Sequence, residues 1–344
     1  MNKKPLSYFY GSFIFSALAV VAGFLLAGVQ GAIIVGFLTV LETSLSFDNA
    51  VVNASVLQGW DNVWRQRFLV WGMLVAVFGM RLVFPLVIVG IAGHMGPLDA
   101  LSLALNKPAD YARVLTAAHH EVAAFGGTFL MMVFWKYFVD SNKDEHWLGF
   151  IEGPLTKLGQ IEAIEAAITL AALLGFSSLM AGTERVEFIV AGIWGLVTYI
   201  AAKGLGTLLG GEEGGGEQVV KQGIGGFLYL ELLDASFSFD GVIGAFAMSN
   251  NLFIIALGLG SGAMFVRSFT LLLVDKGTLD TYRYLEHGAF WAIGALALIM
   301  FAGVKLHIPE VVTGLLGAVL IGAALLSSIL ANRGEPDGAP EAQE

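Results

Sequence analysis

Long apolar runs, separated by short polar stretches, fill almost the whole chain. A straight helix needs about 20 apolar residues to cross the hydrocarbon of a bilayer. Ten segments qualify, roughly 9–29, 31–58, 67–92, 121–139, 162–181, 187–210, 222–250, 252–275, 288–306 and 311–331. The pattern predicts an all-α polytopic membrane protein with about ten transmembrane helices. The stretch 93–118, with Pro97 and Pro108 between short apolar runs, reads as interfacial or re-entrant pieces. Residues 211–217, rich in Gly and Glu, read as a flexible linker, and 332–344 as a disordered acidic tail. Lys3-Lys4 before an apolar run also fits a secretory signal. Segment 187–210, however, precedes the seventh span just as 9–29 precedes the second, which makes the first run part of the body.

The pattern also repeats. Gln30-Gly31 followed by Glu42, Ser44, Ser46, Phe47, Asp48 and Asn49 returns 192 residues later as Gln222-Gly223 followed by Asp234, Ser236, Ser238, Phe239, Asp240 and Gly241. Met80-Arg81-Leu82 in the third span has its counterpart in Val266-Arg267-Ser268 of the eighth. Glu121 and Phe125 open the fourth span as Glu286 and Phe290 open the ninth, and the fifth and tenth both end on a Ser-Ser pair. The unit is five helices used twice. The first repeat (spans 1–5) falls in 1–210, which also holds the start of the second; the second (spans 6–10) covers 187–331. An odd helix count turns the second copy over, giving an inverted repeat, an architecture frequent in secondary transporters.

Composition supports the membrane reading: 56% of residues are hydrophobic, and only 13% are charged, where a soluble domain carries about 25%. Mean hydropathy is +0.76. There is no cysteine, hence no disulfide and no thiolate ligand. The net charge of −10 includes the intramembrane acids and the tail, and no basic face with interleaved aromatics suggests nucleic-acid binding. With the N-terminus inside, twelve Lys and Arg fall in cytoplasmic segments and four outside, so both termini are expected in the cytoplasm.

The chemistry concentrates in the repeated motif. An ionisable residue inside a span is a functional-site hypothesis by default, and Glu42, Asp48, Asp234 and Asp240 form two matched pairs. At 100° per residue, Glu42, Ser46 and Asn49 share a helical face, as do Asp234, Ser238 and Gly241, whereas Asp48 lies elsewhere. Either the helix breaks or the two acids of a copy face different partners; Gly241 and the Ser-rich run place a plausible break in the second copy. A buried carboxylate needs compensation by protonation, ion pairing or a bound cation. Arg81 and Arg267 are the charge-balancing candidates. Glu42, Asp48, Asn49, Asp234, Asp240, Ser46 and Ser238 are the metal-ligand candidates, and their oxygens suit hard divalent cations, Mn²⁺, Mg²⁺ or Ca²⁺. Exchange of such an ion for protons is the physical basis of an antiporter.

These residues resemble a known family. Glu42 with Asp48-Asn49-Ala50-Val51, and Asp234 with Ser238-Phe239-Asp240, are similar to the two motifs of the TerC family of integral membrane proteins, which includes the Alx manganese exporters. The Arg267 segment, Tyr282-Arg283-Tyr284-Leu285-Glu286 and Phe301–Lys305 follow its later pattern. The resemblance covers about two-thirds of the chain. It implies export of Mn²⁺ across a bacterial inner membrane, with Glu42, Asp48, Asn49, Asp234 and Asp240 as ligands. Gly241 departs from it, since the family usually carries Ser there. The expected partners are the metal ion as substrate, protons and the bilayer, with no cofactor and no enzymatic activity. Two rivals stand beside this reading: an exporter of small organic solutes such as amino acids, and a membrane assembly factor whose acids form a structural polar network.

Overall fold

The computed structural model describes residues 4–141, 143, 145–209, 223–306 and 308–334, without the side chains at 69, 206–209, 239, 240, 247, 310 and 334. The expected linker 211–217 and residues 335–344 of the tail lie outside the described residues. Among those described there are helices and turns but no strands. Among the described residues six helices are long and apolar enough to cross a membrane: Tyr10–Leu45, Asn62–Ala92, Gly182–Leu205, Leu252–Asp275, Leu285–Ala302 and Val311–Arg333.

Helix α1 (Tyr10–Leu45) is a hairpin. Its backbone leaves the helical region at Ala27 and Gly28, where Gly28 takes φ +64°. Only glycine adopts that conformation without steric cost. Gly31 then lies so close to the Gly23 carbonyl that a Cβ would collide with it, and Gly23 touches Val35. The arms 10–26 and 29–45 thus run side by side, each about 25 Å long at 1.5 Å per residue, near the thickness of a hydrocarbon core. The second arm stops at Ser46 (φ −100°, ψ 23°), and α2 (Phe47–Gln58) resumes after this break. The discontinuity therefore falls in the first copy. The second-copy helix α11 (Ile224–Met248) runs through its Ser-rich stretch and Gly241 unbroken, with Ser236 Oγ donating back to Leu232 O at 3.0 Å.

The third span begins as α3 (Asn62–Arg67), passes through wide π turns at Phe68–Gly72 and Val75–Val83, and ends as α4 (Phe84–Ala92). The 93–118 stretch forms two ten-residue helices, α5 (Pro97–Asn106) and α6 (Pro108–Ala117). Each has Pro in its first turn, where the missing N–H costs nothing. Then follow α7 (His119–Phe138), α8 (Gly149–Leu158), α9 (Ile164–Ser177), α10 (Gly182–Leu209), α11, α12 (Leu252–Asp275), a single turn α13 (Thr278–Thr281), α14 (Leu285–Ala302) and α15 (Glu310–Gly334). At 14 residues α9 is shorter than the expected fifth span of 162–181.

Packing is reciprocal between the two halves. Both arms of α1 lie on α12, the second parallel to it, with Leu38 against Gly258 and Glu42 against Gly262. Correspondingly, α11 packs on the π-wound third span. Likewise α7 and α14 cross antiparallel: Gly127 lies under the Phe301 ring, Gly294 under the Phe134 ring, and Tyr137 stacks on Phe290 at 3.8 Å. One end of the bundle gathers Tyr8 with Asp275, Gln58 with Asp280, and Asn332 Nδ2 donating to Thr281 O at 2.8 Å. These contacts bring the two described chain ends to the same side.

Candidate functional site

Four elements meet around a buried polar cluster: the second arm of α1, α2, the π segment Val75–Val83 and α11, with α12 closing it. The small residues Gly258 and Gly262 let α1 approach α12 until the Glu42 stem rests on backbone. The break at Ser46 then turns Asn49 and Asn53, one helical turn apart on α2, toward the same space.

Arg81, 2% exposed, bridges the acids of the two halves. Its Nη2 donates to Glu42, and its Nη1 lies 3.5 Å from Asp234 Oδ2. Nη1 also donates to Ala76 O of its own segment at 2.8 Å. The Asn49 amide donates to the other Asp234 oxygen, and the Ser46 hydroxyl bonds Glu42. Arg267 of α12 forms a second pair. Its Nη2 is 3.6 Å from Glu231 Oε1, its Nη1 donates to Phe68 O at 3.1 Å, and its guanidinium stands 4.0 Å over the Phe68 ring.

Of the residues expected from the sequence, Glu42, Ser46, Asn49, Asp234, Arg81 and Arg267 line one cavity of about 10 Å³. Ser238 is buried nearby. Asp48 is turned away: its Oδ2 faces Gly317 of α15, and its Oδ1 accepts the Asn49 N–H at 2.9 Å. The Asp240 side chain lies outside the described residues. Two members were not expected. Glu231, 4% exposed, sits one turn before Asp234, and Asn53 follows Asn49 by one turn. The i,i+3 spacing of two acids in an apolar helix was the signal for Glu231; comparing the repeats hid it, because its counterpart is Thr39.

The cluster is short of donors. Asn49 Oδ1, Asn53 Oδ1, Ser238 Oγ and Glu231 Oε2 are buried without a hydrogen-bond partner among the described residues, and Asp234 Oδ2 and Glu231 Oε1 have the long ionic contacts of Arg81 and Arg267 at 3.5 and 3.6 Å. Buried polar atoms in native proteins are normally bonded, and each orphan calls for an explanation. Among the described residues no three His, Asp or Glu side chains converge as a metal cage. An ion here would use two carboxylates supplemented by amide and hydroxyl oxygens, a donor set suited to hard cations.

A layer of buried apolar side chains lies between this cluster and one end of the bundle. A second cavity of about 630 Å³ lies there between the α1 kink, α5, α6 and the turn 249–251, and Gln30, Ser249, Asn250 and Asn251 line it. Along α1 the order is Ile34, Leu38, Glu42; along α11 it is Asp234, Val242, Phe246; along α12 it is Ile254, Leu259, Ala263. The middle member of each series belongs to one fully buried apolar cluster, which Tyr111 of α6 completes.

At the opposite end, Glu152 of α8 is a separate polar centre. Its carboxylate accepts from His287 Nδ1 at 2.8 Å, Trp291 Nε1 at 3.0 Å and the backbone N–H of Trp147 at 3.1 Å. Burial alone would raise its pKa, but the His287 and Trp291 hydrogen bonds with the charge of Lys143 outweigh it and hold the group at about 2, below the usual carboxylate range. Lys143 lies 3.6 Å over the Tyr137 ring, and burial lowers its pKa to about 8.

The fold and this site define an all-helical protein whose apolar helices suit a membrane and enclose buried ion pairs. The chain belongs to the DUF475 family, described as a protein of unknown function, whose profile matches residues 47–335. No curated protein and no solved structure matches it.

Proposed function

We propose that this protein exports divalent cations, Mn²⁺ first, across a bacterial inner membrane in exchange for protons. The observation that carries the reading is the pair of donor-less amide oxygens, Asn49 Oδ1 and Asn53 Oδ1, beside the carboxylates of Glu42 and Asp234. They supply a cation with neutral and anionic oxygen ligands in a place where a bare charge costs about 2.5–3.5 kcal/mol even on the lenient insertion scale. The likeness of the two acidic motifs to the TerC family is the sequence side of the same reading. Reciprocal packing of the halves supports ten spans in two inverted five-helix repeats, the contacts between the chain ends support placing both termini on one side, and the excess of Lys and Arg in the loops of that side supports the cytoplasm. Purified protein in proteoliposomes, with a metal-sensing dye on the far side, tests it directly: Mn²⁺ moves in the wild type and not in Glu42→Gln or Asp234→Asn.

A structural polar network is the second reading. The bridge from Arg81 to both acids and the small cavity favour it. That reading expects the same two substitutions to lower thermal stability and expects no metal response in the wild type.

A further inference from the structure

This inference rests on the cation-exporter reading and concerns what fills its site when no ion is bound. Glu42 and Asp234, one from each half, share a single guanidinium, that of Arg81. The remaining cavity of about 10 Å³ is at the lower limit for one water. A divalent ion cannot reach both carboxylates while the guanidinium lies between them. The geometry points to Arg81 as a tethered counter-cation: it occupies the ion's position in the empty carrier and must leave the gap between Glu42 and Asp234 for an ion to enter.

Two features of the chain serve that exchange. Arg81 sits on the π-wound stretch Val75–Val83, held by i→i+5 bonds. Rewinding such a stretch to the i→i+4 pattern rotates every residue beyond it, and π turns of this kind recur at functional sites. The guanidinium is also anchored at one side only, by the Ala76 carbonyl of its own segment; the Arg81 Nε has no partner among the described residues. Its hold on the site is therefore mostly its ionic contact with the two acids, which a divalent ion replaces in kind. Occupied by Arg81, the two acids keep a compensating charge while the empty carrier returns through the membrane, where bare carboxylates are costly.

The test compares Mn²⁺ binding to the full-length protein in detergent, read as thermal stabilisation against an EDTA baseline, for the wild type, Arg81→Gln, Arg81→Lys and Arg267→Gln. A competitor that holds about nine-tenths of the empty molecules weakens apparent affinity about tenfold, so Arg81→Gln should bind about tenfold tighter than the wild type. Arg81→Lys should fall between, because an ammonium reaches one carboxylate at a time. It carries the test alone if Arg81→Gln does not fold: tighter binding supports the proposal, and equal or lower affinity overturns it. In proteoliposomes Arg81→Gln should retain Mn²⁺/Mn²⁺ isotope exchange and lose net uphill transport. Equal gains in Arg81→Gln and Arg267→Gln would overturn the proposal, since they would report the total charge of the cavity and not occupancy of the gap. A wild type that binds Mn²⁺ while neither Arg81 variant gains affinity overturns this inference and leaves the exporter reading intact. No stabilisation in any of the four ends both.

Discussion

Glu231 Oε1 faces Arg267 Nη2 at 3.6 Å across α11 and α12, and both side chains are at least nine-tenths buried. The pair is packed against Gly72 of the third span, where a Cβ would meet both the carboxylate and the guanidinium. Breaking a buried pair from one side leaves an uncompensated charge and costs about 3–5 kcal/mol, whereas replacing both partners can be neutral. Glu231→Gln should therefore lower Tm sharply, and Glu231→Gln/Arg267→Gln should recover most of the loss. Thermal unfolding of the three proteins in one detergent checks this; equal losses in the single and double variants would show that the pair is not coupled.

The two acids of the first motif should separate in function. Glu42→Gln and Asp234→Asn remove the carboxylates that line the cavity and should abolish Mn²⁺-dependent stabilisation. Asp48→Asn alters a side chain that faces Gly317, so it should retain a measurable response. Titration of the three variants with Mn²⁺ decides; a complete loss in Asp48→Asn would place that acid in the site during some other part of the cycle.

Gly262 tests how closely α1 must approach α12. A Cβ there would overlap the Glu42 stem and lie 3.1 Å from Thr39 O. Gly262→Ala should push Glu42 from its place and weaken Mn²⁺ binding along with stability, by about 1–3 kcal/mol as overpacking does. At Gly204 nothing lies within 4 Å of the added atom, and the same substitution within helix α10 should be neutral or gain up to about 1 kcal/mol from helix propensity. Paired unfolding measurements on the two alanine variants make the comparison.

The α8 contact carries a pH signature. Glu152 titrates near 2 in the folded protein, against an ordinary value of 4.5. Its stabilisation is therefore complete above about pH 4.5 and is lost as pH falls toward 2. Lys143 works in another window: lowered from 10.5 to about 8, it binds fewer protons folded than unfolded between those values, so its contribution to stability rises with pH through that interval. Glu152→Gln should start lower at neutral pH and lose the acid-side slope, which unfolding curves from pH 3 to 7 would show.

Proton coupling follows from the exporter reading. Arg81 brings one positive charge to two carboxylates in the emptied site, which stays one charge short of neutral, and a proton taken up from solution makes up the difference. Proteoliposomes loaded with a pH dye should show proton flux opposite to Mn²⁺, and collapsing the gradient should stop uphill transport. Cation movement without a pH change would leave a uniporter.

Helix positions were readable because each apolar run ends on a local breaker, such as Gly28 between the first two spans or Pro97 after the third. Glu42, Ser46 and Asn49 do line one cavity, but not as the single helical face their spacing suggests: α1 ends at Ser46, and the break turns Asn49 toward Glu42. What the pattern did not carry depends on contacts between distant segments. Serine tolerates a helix as well as a break, so nothing local distinguished Ser46, where α1 ends, from Ser238, where α11 continues. Arg81 was visible as a charge, but its position between Glu42 and Asp234 arises only when two halves of the chain meet. Glu231 escaped because repetition was used to find the acids, and Glu231 is the one without a repeated counterpart.

If the protein moves ions, the apolar layer between the polar cluster and the 630 Å³ cavity sets a limit on leakage. The side chains of Leu38, Val242 and Leu259 offer an ion no ligand, and the idealised cost of moving a small ion from water into such a medium is of order 20 kcal/mol. A barrier built from hydrocarbon closes by drying and needs no charged bolt. On the exporter reading it holds back protons, sodium and the transported ion alike, which leaves the charges nearby to serve selection.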